Sequence, residues 1–211
     1  VNDLLWKEIR VQRGKADPQW GIGPKDFIGP SAPRMERSKE WWAAGYVAAK
    51  GENFKGRHTE QMMFIMDEAV GLPELYFRAT KTMFKPDGKM LWICAYNPTD
   101  TSSVMYSEVM ALDSDWVVIE LSSLEHPNVL AGLRGEPSPI PAAVDLGQLE
   151  AAIKDDCEDI DGEPDPTRDF EWPPGSGKWL RPGSAFEGEF LGRWPSEDEA
   201  ALWSDAAWLA I

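Results

Sequence analysis

The chain has 211 residues, of which 43% are apolar, so it can bury one sizeable core and a small second unit. Its formal net charge of −15 does not favour nonspecific binding to nucleic acid or to a membrane surface. No stretch has the length of a transmembrane helix, and two cysteines are too few for a disulfide framework.

The N-terminal part of the sequence predicts a helix, a long loop and a strand. A polar residue near the start can cap a helix that ends at Gly14. Proline, glycine and charge predict a loop over residues 15–40, and the apolar run 41–49 predicts a buried strand. A glycine-bracketed loop then carries His58, which is more typical of a hydrogen-bonding turn than of a general base or a ligand.

An unbroken apolar run at residues 62–66 leads directly into two adjacent carboxylates, Asp67 and Glu68. This pattern predicts a strand that is buried on both faces and ends at the edge where open α/β sheets bind ligands. One carboxylate of such a pair can hold Mg²⁺, usually through water. The other can orient or deprotonate the water that attacks a phosphoryl group, as in the acidic strand of a P-loop ATPase. The alternative is an ordinary strand end with solvated acids.

A second apolar run also ends at a polar residue. Residues 74–84 predict a helix, and the apolar run 90–95 predicts a buried strand that ends just before Asn97. If the two strands are neighbours, their ends converge, and an asparagine there can sense a γ-phosphate or the attacking water. The alternative is an Asn-Pro turn in which the Asn97 side chain bonds its own backbone.

The rest of the chain predicts alternating helices and strands around an acidic loop. In chain order we expect a helix at 104–111, a fourth strand at 116–121, a helix from Asp145 to residue 154, an exposed or disordered acidic loop at 155–171, an extended segment at 186–195 and a capped helix from Ser196. Residues 175–178 (GSGK) have half the pattern of a phosphate loop. They lack its first glycine, its Ser/Thr after the lysine and its preceding apolar strand.

Several short motifs together resemble the large terminase subunit of tailed bacteriophages, the ATPase motor that packs DNA into capsids. The resemblance covers roughly residues 1–208. The motifs that carry it are, in order, FxGxH at 54–58, DEA followed by GLP at 67–73, NP at 97–98, EHPNV at 125–129 and GRWP at 192–195.

The resemblance implies a three-layer α/β fold of the additional-strand P-loop NTPase class, with a mostly parallel sheet flanked by helices. It also implies ATP and Mg²⁺ as cofactors. Asp67 would coordinate Mg²⁺ through water, Glu68 would be the catalytic carboxylate, and Asn97 would lie in the motif that couples hydrolysis to movement on DNA.

The resemblance further implies that this sequence is a fragment, incomplete at its N terminus. The phosphate loop would precede Val1 and the nuclease domain would follow Ile211, so the piece alone is expected to be inactive. Residues 1–143 would be the latter part of the ATPase domain, and residues 144–211 its C-terminal part and linker region. The implied partners are double-stranded DNA, the portal protein, the small terminase subunit and other copies in a ring on the procapsid in the host cytoplasm, with no membrane.

Two other functions are compatible with the sequence. One is another P-loop DNA translocase or helicase. The second is a non-enzymatic acidic interaction module that docks on a basic partner through its eleven tryptophans and its negative surface. The enzyme requires Asp67, Glu68 and Asn97 to share one cleft, whereas the interaction module predicts an exposed, Trp-lined apolar patch.

Overall fold

The structure is a computed structural model that describes residues 34–36, 42–45, 59–85 and 88–196. The chain divides into two units, one comprising Val1–Glu60 and Leu75–Asp87 and the other Gln61–Glu74 and Gly88–Ile211. The described part is mixed α/β, with helices and small sheets, one of them parallel. This confirms the α/β class, whereas the three-layer, mostly parallel sheet of a P-loop NTPase stays a prediction. The assignment of residues 1–143 and 144–211 to parts of an ATPase domain stays a prediction.

Two short strands are described in the first unit. Strand β1 (Arg34–Glu36) pairs antiparallel with β2 (Trp42–Ala44). The latter is the described part of the strand predicted at 41–49, and its central residue Ala43 is exposed. The predicted helix before Gly14 and the loop that carries His58 lie outside the described residues, as does the predicted C-terminal helix apart from its first residue, Ser196.

Helix α1 (Glu74–Met83) belongs to the first unit apart from its first residue, and it confirms the helix predicted at 74–84. Glu74 in its first turn and Lys81 in its last turn complement the helix dipole. Its buried residues are Tyr76, Phe77, Ala79, Thr80 and Met83. Leu75, in contrast, is 39% exposed.

The second unit contains the strand that carries the acidic pair. Strand β3 (Gln61–Asp67) pairs in parallel with β4 (Lys89–Ala95), and the last residues of the two strands, Asp67 and Ala95, lie opposite each other. The sequence left open whether these strands are neighbours; the structure shows that they are, with their carboxyl ends at the same edge.

The expectation that β3 and β4 are buried on both faces is wrong. Alternate residues lie half or fully buried, as Phe64 and Met66 do, whereas their neighbours are open to solvent. The exposed residues, which we call the exposed sheet face, are Met63 (59%), Ile65 (68%), Leu91 (49%) and Ile93 (42%). An apolar run in sequence is the same whether one or both faces are covered, so periodicity could not make this distinction.

The fourth strand predicted at 116–121 is also absent from the described structure. Trp116 meets Trp92 of β4 edge-on at 4.9 Å between ring centroids, but residues 116–121 pair with no described strand. Val117 and Ile119 are 86% and 78% exposed. The segment has the β-branched composition of a strand, but a strand forms only where a neighbour takes up its backbone hydrogen bonds.

A compact core lies in the C-terminal part of the second unit. Helix α2 (Val104–Met110) precedes it, and helices α3 (Pro127–Leu133) and α4 (Leu146–Asp156) lead into strands β5 (Cys157–Asp159), β6 (Phe170–Glu171) and β7 (Trp179–Pro182), with the antiparallel order β5-β7-β6. Asp145 caps α4 as predicted: its carboxylate accepts from the Gln148 N–H, and the Gln148 side chain accepts from the Asp145 N–H. The buried core residues are Val129, Leu149, Ile153, Phe170, Trp172, Leu180, Phe186 and Leu191.

The acidic segment 155–171 is not wholly an exposed or disordered loop, as the sequence suggests. It contributes β5 and β6 at its ends, and Asp169 is 3% exposed. The Arg181 guanidinium on β7 donates to both Asp169 carboxylate oxygens at 3.0 and 3.1 Å, which compensates the burial of the charge. This partner lies outside the acidic segment, so local composition does not reveal it.

Residues 186–191 form helical turns rather than the extended segment that we expected, and residues 192–195 follow without regular structure. A short helix α5 (Ser184–Phe186) continues into a π-helical turn, Glu187–Leu191. Gly192 ends the turn with φ at 70°, a left-handed conformation that favours glycine. The Arg193 N–H donates to the Glu187 carbonyl across this end, at 2.9 Å. Within the ranges that the structure describes, no helix is long and apolar enough to cross a lipid bilayer.

Candidate functional site

The carboxylates of Asp67 and Glu68 lie where β3 ends. Asp67 is the last residue of the strand, and both acids are exposed. Glu68 has φ 53° and ψ 46°, a left-handed conformation that costs a residue with a β-carbon about 1–2 kcal/mol. The chain turns at Glu68 into the 3-10 turn Ala69–Gly71, and its side chain makes no capping hydrogen bond.

This strained turn is held in place by its neighbours. The Gly71 N–H donates to the Glu68 carbonyl at 3.0 Å, and Ala69 is fully buried. The turn also contacts helix α2, which follows residues 96–103, here called the Asn97 loop. These contacts keep Glu68 in its left-handed conformation while its carboxylate remains in solvent.

Asn97 lies two residues beyond the end of β4, at the same edge of the sheet as Asp67. Its carbonyl accepts from the Thr99 N–H at 2.9 Å. Its exposed side chain makes no hydrogen bond in the described part of the chain. The structure therefore does not show the alternative in which the Asn97 side chain bonds its own backbone.

The loop after Asn97 is ordered by short-range hydrogen bonds. The Asp100 carboxylate accepts from the Ser102 N–H at 2.8 Å and from its hydroxyl at 2.6 Å, and these bonds lower the pKa of Asp100 below its usual value. Ser103 then caps α2 by accepting from the Tyr106 N–H at 3.1 Å. The loop therefore holds a defined shape between β4 and α2.

Three aromatic rings pack beside this loop, and the sequence did not predict their association. Trp194 stacks on Tyr96 with ring centroids 5.4 Å apart and meets Tyr106 edge-on at 5.1 Å. Burial raises the pKa of Tyr96 above its usual value, and the nearby Cys94 adds to the shift. The sequence signal that coincides with this cluster is the GRWP motif at 192–195, which contains Trp194 but has no chemical role that the sequence alone reveals.

The donor chemistry at the end of β3 fits Mg²⁺ held jointly by protein and nucleotide. Carboxylate oxygen is the protein ligand that Mg²⁺ prefers, and this ion commonly binds one or two carboxylates together with substrate phosphates. Asp67 and Glu68 supply such oxygens. Among the residues that the structure describes, no cluster of three or more acidic, histidine or cysteine side chains could form an all-protein metal cage.

His126 has a structural role. It precedes α3 in an extended conformation, as expected for a residue before proline, and its Nδ1 accepts from the Asn128 N–H at 3.2 Å. Asn128 is buried and exchanges hydrogen bonds with the backbone of Ile140, each 2.8 Å long. The EHPNV motif thus caps helix α3 and fixes the position of Ile140 through the Asn128 side chain.

The GSGK sequence connects strands β6 and β7. Lys178 forms an ion pair with Asp159 at 2.8 Å, and Gly175 and Gly177 supply the positive φ angles that the turn requires. These observations agree with the rejection of this sequence as a phosphate loop.

No protein-family model, curated protein or solved structure matches this chain.

Proposed function

We propose that this chain is part of the ATPase region of a bacteriophage terminase large subunit, which hydrolyses ATP to move double-stranded DNA into a procapsid. The observation that carries the proposal is the parallel pairing of β3 with β4. This pairing brings the ends that bear Asp67, Glu68 and Asn97 to one edge of a sheet. Parallel α/β sheets bind their ligands at this edge.

In this proposal each of the three residues has a distinct task. The Asp67 carboxylate would hold, through water, the Mg²⁺ that accompanies the nucleotide. A Glu68 carboxylate oxygen accepts a hydrogen bond from the attacking water and orients it toward the γ-phosphate. The Asn97 amide senses the γ-phosphate or that water, and its loop responds to the change after hydrolysis. A bound Mg²⁺ supplies neutralisation of phosphate charge.

The strain at Glu68 supports its assignment. Left-handed backbone at a non-glycine residue persists only where its surroundings enforce it, and such residues cluster at functional sites. Here an exposed carboxylate that makes no capping hydrogen bond occupies the strained position. A merely structural turn would be better served by glycine.

The proposal also includes the finer architecture and the partners. The sheet belongs to a three-layer P-loop NTPase domain of the additional-strand class, and a preceding part of the parent protein supplies the phosphate loop. Further strands and helices of that domain would cover the exposed sheet face. Portal protein, small terminase subunit and other copies of the chain assemble with it on the procapsid, in the host cytoplasm.

A second candidate function is supported by a different observation. The exposed sheet face is an apolar surface open to solvent, as an interaction module would have, and Val117, Ile119 and Leu121 are exposed as well. Among the described residues no tryptophan belongs to the exposed sheet face, and Trp92 and Trp116 are half-buried. The net charge of −15 would select a basic partner for such a module.

The two functions differ in whether the protein binds and hydrolyses ATP. Variants of the full-length protein that contains this chain can test this difference. We expect Glu68→Gln to bind Mg-ATP within about twofold of wild type and to lose phosphate release by about 100-fold or more, since loss of an acid–base group costs about 10²–10⁴-fold. Asp67→Asn should instead weaken Mg²⁺-dependent binding of ATP. Glu60→Gln is the matched control, because Glu60 is exposed and directly precedes the opposite end of β3.

Binding would be measured by calorimetry and turnover by released phosphate. Wild-type turnover in Glu68→Gln would remove this residue from the mechanism. The interaction module would be favoured if the wild-type protein binds no Mg-ATP but binds a basic partner, and if Ile65→Lys abolishes binding of that partner.

A further inference from the structure

Trp194 bridges the two sides of the Asn97 loop. Its indole stacks on Tyr96, the residue between β4 and Asn97, with 27° between the ring planes. The same indole meets Tyr106 on α2, the helix into which the loop leads, at an interplanar angle of 80°. One side chain from a distant part of the sequence therefore contacts both ends of the loop.

Gly188 makes a second contact with the same loop. A β-carbon at this position would lie 3.0 Å from both the Pro98 carbonyl oxygen and the Thr99 Cγ2. Gly188 and Pro98 are both buried. The π-helical turn therefore packs with its backbone directly against the residues that follow Asn97, and no larger residue fits without displacement of one of them.

The segment that makes these contacts, residues 188–194, is anchored in the C-terminal core. Phe186 and Leu191 on either side of Gly188 are core residues. The buried Glu187 carboxylate accepts from the Ser196 N–H at 2.7 Å and from its hydroxyl at 3.0 Å. On the other side, Asp156 at the end of α4 accepts from the Phe186 N–H at 2.6 Å.

A further ion pair ties the segment to the chain beyond β4. Arg193 donates to the Glu120 carboxylate at 3.0 Å. A β-carbon on Gly192 would lie 3.1 Å from the Leu121 carbonyl oxygen, so the two backbones are in close contact. Segment 188–194 thus lies against residues 96–99 and residues 120–121 as one packed body.

We propose that Trp194 and Gly188 are positioning residues that hold the Asn97 loop and pass its movement to the C-terminal core. The inference rests on the proposed ATPase function, because it takes the loop to respond to hydrolysis. Closely packed contacts do not deform continuously, so a shift of the loop must either carry segment 188–194 with it or break the stacking on Trp194. The C-terminal core would then be the part of the chain that moves in response to hydrolysis.

The test compares Trp194→Ala, Trp194→Phe and Trp179→Ala in the full-length protein. Phe retains a ring that can stack on Tyr96, and Trp179 is a half-buried tryptophan on β7. The first measurement is amide hydrogen exchange at residues 96–103. Since each aromatic pair contributes measurable stability, we expect Trp194→Ala to speed this exchange by about 10-fold. Trp194→Phe should stay within about threefold of wild type, because one ring contact remains. Trp179→Ala should leave the rate of amide hydrogen exchange at residues 96–103 unchanged.

The second measurement is the length of DNA moved per ATP hydrolysed. We expect this ratio to fall several-fold in Trp194→Ala and to recover in Trp194→Phe. Unchanged exchange at residues 96–103 overturns the inference whether or not the protein hydrolyses ATP. Faster exchange with an unchanged ratio overturns the coupling role. A wild-type protein without ATPase activity refutes the proposed function, while the exchange data still decide whether Trp194 positions the loop. If Trp194→Ala does not fold, Tyr106→Ala removes the edge contact alone and is measured in the same way.

Discussion

Replacing Glu68 with glycine should stabilise the protein while it abolishes turnover. Glu68 is in the left-handed region at φ 53° and ψ 46°, where its β-carbon crowds the backbone. Glycine has no β-carbon and adopts this conformation without strain. The same substitution removes the carboxylate that we assign to the attacking water. Stability and activity should therefore change in opposite directions at this one position.

The expected gain in the free energy of unfolding is the difference between two opposing effects. Relief of the left-handed conformation is worth about 1–2 kcal/mol. The greater freedom of glycine in the unfolded chain offsets about 0.5–1 kcal/mol of this. The side chain is exposed and makes no capping bond, so its removal sacrifices no burial. The net gain of about 0.5–1 kcal/mol should raise Tm by about 1–4 °C in a protein of this size.

Thermal unfolding followed by circular dichroism measures this shift. Glu68→Ala removes the carboxylate but keeps a β-carbon, so its Tm should not exceed that of wild type. Glu60 has no positive φ, so Glu60→Gly should be less stable than Glu60→Ala. If Glu68→Gly were less stable than Glu68→Ala, the position would carry no backbone strain, and the argument from strain to function would fail.

Two further predictions concern the C-terminal core. The Arg181 guanidinium lowers the pKa of Asp169 below its usual value of 3.8, so this pair stabilises the fold above about pH 4 and loses its effect as the pH falls through the lowered pKa. Asp169→Asn should flatten the acid limb of a stability–pH curve. Arg181→Met should cost about 3 kcal/mol in urea unfolding at neutral pH, because the buried carboxylate loses its guanidinium partner and retains the hydrogen bond from the Asp165 N–H. An unchanged acid limb in Asp169→Asn would refute this account. Gly192→Ala should destabilise more than Gly175→Ala, since both have positive φ but only Gly192 abuts a backbone carbonyl; equal losses in urea unfolding would show that the close contact does not matter.

The elements that were predicted correctly depend on short stretches of sequence. Helix α4 is specified by a capping box that spans four residues, Asp145 to Gln148. The helices near 74–84 and 104–111 and the strand near 90–95 follow from local periodicity and turn residues. The same local pattern placed Asp67 and Asn97 at strand ends, which are the positions that the structure gives them.

The wrong predictions all involve partners that are distant in sequence or absent. The acidic segment contains a buried carboxylate because Arg181, which lies outside it, is paired with Asp169. Residues 116–121 have the composition of a strand but no neighbour to pair with in the described structure, and the apolar runs of β3 and β4 are covered on one face only. Residues 186–191 are helical within a packed core that the local sequence did not indicate.

The candidate site likewise combines features that the local sequence predicts with features that depend on distant contacts. The sequence by itself determined the chemistry, because two carboxylates after an apolar run and an asparagine after another are readable within a few residues. Only the tertiary structure decided that they share an edge, since this depends on the parallel pairing of strands that are separated by a whole helix. The left-handed turn at Glu68 and the stacking of Trp194 on Tyr96 are likewise imposed by contacts remote in sequence. Side-chain chemistry is local, whereas proximity depends on which surfaces the folded chain packs together.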